Sequence, residues 1–191
     1  FVEILSRGDP AEQAVLCLGA NQIAAASPEI VPDLTGLLSG SSEDLRVCAV
    51  LALGHVARLT DSEFARLLAQ LYDKSPRIRL AAIEALGFQR ERKDKILAAY
   101  LKLLKSPEQK DAVRRVELAD AVARAVLSLD TEASALAPFF VQHLGAAVPG
   151  ADGNGQVAAL DISFVKALSR TGKSAVPFVL KALKDSNPVV R

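Results

Sequence analysis

Methionine and tryptophan are absent from this 191-residue chain, and tyrosine, histidine and cysteine occur twice each. Two cysteines exclude a disulfide-dense secreted scaffold, which needs several bridges in place of a large core. The histidines, His55 and His143, lie 88 residues apart with no HExxH or CxxC spacing, so neither a metal nor a cofactor is expected. Aromatics make up only 5% of the residues, which disfavours strands. The longest run without a charged side chain, Ala133 to Ala151, holds Pro138, Gln142, His143, Gly145 and Pro149 and is a poor membrane span. The chain opens on Phe1 without methionine and reads as a fragment or a processed product.

Alanine (32) and leucine (28) dominate what is there, and both lead the helix scale. Half the residues are apolar and 24% are charged, enough to bury a core, and the length fits one domain. Charge is balanced overall at +1 but not along the chain: residues 1–73 carry net −6, 74–124 net +6, and 125–191 net +1. Such a lengthwise dipole steers charged partners, although solvated helix faces produce the same pattern. Cys17 and Cys48 sit among Ala, Leu and Val and read as buried, reduced thiols, which points to a cytoplasmic home.

A repeat organises the chain. AEQAVLCLG (11–19), LRVCAVLALG (45–54) and IRLAAIEALG (78–87) close on Gly19, Gly54 and Gly87, spaced 35 and 33 apart. Weaker copies end at Ala123 and Ser169. Before each of the last four lies a second apolar stretch: 30–40, 64–73, 96–105 and 136–145, with another at 175–185. Apolar residues there recur at three and four, as in Leu34, Leu37 and Leu38, which is helical period. The unit is a helix, a turn, a second helix and a link. Its copies span about 1–26, 27–59, 60–90, 91–129, 130–172 and a partial 173–191, with a Gly-rich loop inserted at 145–155. Ser27-Pro28, Thr60-Asp61-Ser62-Glu63 and Asp130-Thr131-Glu132 are expected to start first helices; Ser75-Pro76 and Ser186-Asn187-Pro188 second ones. One helix pair cannot bury its own apolar face, so the pairs must stack. Gly54 and Gly87 recur at one place inside a helix and predict a tight crossing.

These residues resemble the HEAT-repeat family in its short bacterial form, also seen in phycobilin lyases. KSAVPFVLKALKDSNPVVR (173–191) carries the resemblance best, with Pro177, Asp185 and Arg191 at the family's proline, aspartate and arginine places. Asp73 and Arg79 repeat the Asp–Arg spacing, and Pro32 and Arg46 fill two places of another copy. The resemblance implies an all-α, right-handed α-solenoid of stacked antiparallel helix pairs, armadillo-like, forming one domain. It also implies a structural ladder through Asp73, Arg79, Asp185 and Arg191.

Chemistry is sparse. Ala167-Leu168-Ser169-Arg170-Thr171-Gly172-Lys173-Ser174 fits a relaxed phosphate loop, but the residues before it read as helix rather than strand. Asp152-Gly153-Asn154-Gly155 echoes a calcium loop without its later carboxylates. No catalytic constellation stands out, so no enzyme is expected. What remains is a surface. The resemblance puts the second helices on the concave side, and their outward candidates are Asn21, His55, Arg58, Glu84, Gln89, Arg90, Asp120, Arg124, Lys166 and Arg170. The expected role is a scaffold that binds a protein or peptide, an acidic one where Arg90, Arg124, Lys166 and Arg170 form a basic strip. Two alternatives stay open: a nucleic-acid binder resembling HEAT-like DNA glycosylases, disfavoured by the lack of Trp and the balanced charge, and a phycobilin-lyase-like chaperone.

Overall fold

The computed structural model describes residues 10–106, 112–130, 132–144 and 158–184. Those residues are helical, with short 3-10 turns and no strand among them. The chain divides into two compact units, Phe1–Glu91 and Arg92–Arg191.

The first unit holds α1 (Pro10–Ala26), α2 (Val31–Leu37), α3 (Glu43–Gly54), α4 (Asp61–Ala69) and α5 (Pro76–Leu86). Second helices α1, α3 and α5 pack in series, while α2 packs on α3 and α4 on α5. Local chemistry sets the starts. Ser42 accepts a hydrogen bond from the Leu45 amide at 3.4 Å, and Ser75 accepts one from Ile78 at 3.4 Å, with Pro76 in the first turn. At α4 the capping box is complete: the Thr60 amide donates to Glu63 Oε2 at 2.7 Å, and the Glu63 amide to Thr60 Oγ1 at 3.3 Å. Ser27 makes no side-chain cap; Pro28 opens a 3-10 turn that leads into α2.

The expected tight crossing occurs at Gly54. A Cβ placed there would lie 2.6 Å from Ala85 Cα and 2.8 Å from Ala85 O. The absent side chain thus lets the end of α3 lie against α5. Gly19 has nothing within 4 Å and marks no such crossing. Gly54 is the last residue of α3 and Gly87 the C-cap of α5, so both sit at helix ends rather than inside. The interior beneath them is aliphatic: Leu34, Leu53, Leu67, Leu71, Ile78 and Ile83 are at 0% exposure.

The second unit holds α6 (Lys93–Lys105), α7 (Ala112–Leu129), α8 (Ala137–Gln142), α9 (Ala158–Ser169) and α10 (Val176–Ala182). Here α7 packs on α6 and on α9, and α8 on α9 and α10. Its largest buried side chains are Tyr100, Phe140 and Phe164, all at 0% exposure, set among aliphatic residues such as Ile96, Val122 and Val126. The start expected at Asp130 falls later. Asp130 takes a positive φ of 49° that ends α7, and α8 begins only at Ala137 with Pro138 in its first turn. The loop insertion at 145–155, the calcium-like Asp152–Gly155 segment, Asp185 and Arg191 lie outside the described residues.

Candidate functional site

In the first unit the candidate surface gathers where α3 and α5 end. His55 is the C-cap of α3, and its ring lies on Phe88 with centroids 4.4 Å apart and planes at 30°. Phe88 is 44% exposed, unusual for a phenylalanine in a chain so poor in aromatics. Arg58, Glu84 and Arg90 are exposed, and Asn21 is half-buried.

Gln89 departs from expectation. It is buried at 7% exposure rather than facing outward. Its Nε2 donates to Gly54 O at 2.8 Å and Val56 O at 2.9 Å, and approaches Leu53 O at 3.4 Å. The last carbonyls of a helix lack donors within it, and this amide from the next repeat supplies them. Gln89 is therefore a cap for α3, and the cap holds the segment that presents His55 beside the one that presents Phe88. Phe88 itself escaped the sequence reading, though a signal existed: it follows Gly87 as His55 follows Gly54.

Asp120 in the second unit is likewise buried, at 4% exposure, and is not an outward contact residue. Helix α7 is packed on α6, α8 and α9, which leaves this position covered. Arg124 Nη1 donates to Asp120 Oδ2 at 2.6 Å, and the buried Oδ1 has no protein partner. Arg124, Lys166 and Arg170 are exposed, and Arg170 pairs with Asp130. The segment Gly172–Ala175 is a 3-10 turn preceded by helix α9, so no strand aims backbone amides at a phosphate there.

Of the residues expected in a ladder, Asp73 reaches a neighbouring repeat and Arg79 does not. Arg46 Nη2 meets Asp73 Oδ2 of the next repeat, with side chains only 14% and 12% exposed. Arg46 Nε also donates to Leu38 O at 3.0 Å, and Asp73 Oδ1 accepts from the Ser75 amide at 2.8 Å. Arg79 stays on the main chain, donating to Asp73 O at 2.8 Å. A more exposed tie joins the starts of α3 and α5: Arg77 reaches Asp44 at 2.9 Å and Glu43 at 3.4 Å. The hydrogen bond to Asp44 and its negative charge push the Arg77 pKa up.

The cysteines correct another expectation. Cys17 and Cys48 form a disulfide, with Cα atoms 5.3 Å apart, and are not reduced thiols. Their separation of 31 residues is about one helical turn short of the repeat spacing, so each lies on the face of its helix that stacking α1 on α3 brings together.

A pocket of ≈ 440 Å³ lies between α8 and α10, lined by Pro138, Val141, Gln142, Leu144, Phe178, Lys181 and Ala182. Its lining is mostly apolar and holds no acid–base pair. Among the described residues no group of His, Cys, Asp and Glu could hold a metal ion, and no helix is long and apolar enough to cross a membrane. Burial pushes the Tyr100 hydroxyl well above its ordinary value, so that group does not ionise near neutrality.

In each unit helix pairs pack in series around an apolar interior, which defines a helical repeat protein of the α-solenoid class. Residues 1–87 match the family model of the HEAT repeats. A crystal structure of an engineered protein, solved by a structural-genomics consortium, is similar with a TM-score of 0.47 and 16% identity, covering 99% of this chain and 90% of that one. A search of the curated proteins finds no match.

Proposed function

We propose that the chain is a non-catalytic scaffold that binds a partner protein or peptide along its second helices. The observation that carries this reading is the exposed Phe88 ring stacked on the half-buried His55 at the ends of two stacked second helices, held there by Gln89. HEAT repeats are commonly protein-interaction scaffolds, and a surface aromatic in a polar setting is the kind of anchor that interfaces use. Glu84, Arg58 and Arg90 supply a charged rim around it, while Arg124, Lys166 and Arg170 favour an acidic partner in the second unit. We also propose that all repeats act as one domain. The Cys17–Cys48 disulfide removes the ground for a cytoplasmic home, because disulfides persist mainly in oxidising compartments.

The test is site-specific photo-crosslinking in the native cell. A crosslinker at Glu84, on a second helix, is expected to trap a discrete protein that one at Arg66, on first helix α4, does not. Replacing both His55 and Phe88 by Ala should abolish that product. Equal labelling from Glu84 and Arg66, or a product indifferent to the double substitution, overturns the reading.

A further inference from the structure

The bond between Cys17 and Cys48 ties α1 to α3, the second helices of successive repeats, and encloses all of α2 in its loop. The two cysteine residues are unequally exposed. Cys48 is buried at 5% exposure, whereas Cys17 is only half-buried. Position along the helices matters too. Asn21 lies four residues beyond Cys17, and His55 seven beyond Cys48, so each shares a helix face with its cysteine. The bond therefore sets the spacing between the helix faces that carry Asn21 and His55. Small buried residues line both helices, Ala20 and Ala24 on α1 and Ala49 and Ala52 on α3. They keep the helices close without the covalent link, so the thiols remain within bonding range after reduction.

We propose that Cys17–Cys48 is a reversible redox clasp, opened from one side by a dithiol reductant that attacks Cys17. The attacking thiolate forms a bond to Cys17 Sγ while the bond between the two cysteine sulfurs breaks, and Cys48 leaves as a thiolate that takes up a proton. The second thiol of the reductant then displaces Cys17 from the mixed disulfide. Two electrons and two protons pass to the protein, and the dithiol ends as its own disulfide. Attack at Cys48 is blocked by its burial. Opening removes the covalent restraint on α1, which stays packed on α3 but opens locally more often, while α3 and α5 keep their crossing at Gly54. The clasp stands independently of the scaffold reading, since it concerns the α1–α3 packing and needs no partner.

The experiment uses the full chain, oxidised with glutathione disulfide and then reduced with dithiothreitol. Thiol titration should find no reactive thiol in the native oxidised protein. After reduction, a maleimide should label Cys17 at least tenfold faster than Cys48. Amides of α1 should exchange hydrogen at least tenfold faster than before, those of α5 at an unchanged rate, and reoxidation should restore protection. A Cys17→Ser, Cys48→Ser variant should exchange like the reduced protein with or without dithiothreitol; where it fails to fold, the reduced wild type carries the same comparison. Two reactive thiols in the oxidised native chain, faster labelling of Cys48, or α1 exchange indifferent to reduction overturns the proposal.

Discussion

In the unit Phe1–Glu91, α3 and α5 meet where Gly54 has no side chain, and polar ties bind one repeat to the next: Arg46 with Asp73, Gln89 with the end of α3, Arg77 with Asp44. In the unit Arg92–Arg191 the largest buried side chains are aromatic, with Phe140 of α8 and Phe164 of α9 at a ring separation of 6.2 Å and Tyr100 of α6 fully enclosed. The match to the HEAT repeats ends at residue 87, close to the boundary between the units. Regular repeats with close backbone crossings leave carbonyls and charges near one another, and specific polar contacts satisfy them. In the second unit large rings take the most enclosed places. The two units thus keep one stacking plan by different means.

The sharpest way to break that contrast is Phe164→Ala. Removing a fully buried ring that touches Phe140 and lies 6.3 Å from the ring of His143 should cost about 3–5 kcal/mol. Hydrogen exchange should rise in α7 and α9 and stay unchanged in α3 and α5. Equal loss of protection in both units would show that the division into two modes of packing has no energetic meaning.

Gly54→Ala tests the first unit on its own terms. The new methyl group would meet Ala85 backbone atoms, which cannot yield as a flexible side chain does, so a cost of about 3 kcal/mol is expected, at the top of the usual overpacking range. Gly19→Ala meets nothing within 4 Å in a helix interior and should stabilise by up to about 1 kcal/mol. Urea unfolding midpoints of the two variants should therefore move in opposite directions. Polar ties come next. Arg46→Leu strips a mostly buried carboxylate of its cation and frees Leu38 O, worth about 2 kcal/mol. Arg170→Ala removes an exposed pair in the second unit, with side chains 50% and 59% exposed, and should cost under about 1 kcal/mol.

Much of this plan was legible in the residues. Apolar spacing gave the helices, the glycine register located the Gly54 crossing, and Thr60 with Glu63 announced a helix start that the structure contains in full. The side of a helix on which a polar residue lies was harder to read. Gln89 and Asp120 look like surface residues by type, but each is turned inward by contacts between repeats, and repeat stacking also pairs the two cysteines. Counting from a glycine fixes rotation about one helix, whereas burial depends on the helix beside it. Phe88 was missed for the opposite reason: an aromatic residue after the repeat glycine reads as core, yet it is exposed because α5 has already ended.

The smallest effect concerns pH and belongs to the second unit alone. His143 caps α8 half-buried against Phe164, and both burial and the nearby Arg115 charge lower its pKa from the ordinary value of about 6.5. In the unfolded chain the imidazole takes up its proton near that ordinary value, so between the folded and unfolded values the unfolded state binds more protons. Stability then rises with pH through this window. The contribution is fully present above about 6.5 and is lost as pH falls through the folded value. His143→Gln keeps a polar side chain of similar size and removes the titration. Urea midpoints measured from pH 7.5 down to pH 5 should fall for the wild type by more than for the variant, and the exchange that accompanies the fall should be in α8 and α9. Matching slopes in the two proteins would mean that Phe164 packs against His143 without sensing its charge, and the aromatic interior of this unit would be the more tolerant of the two packing modes.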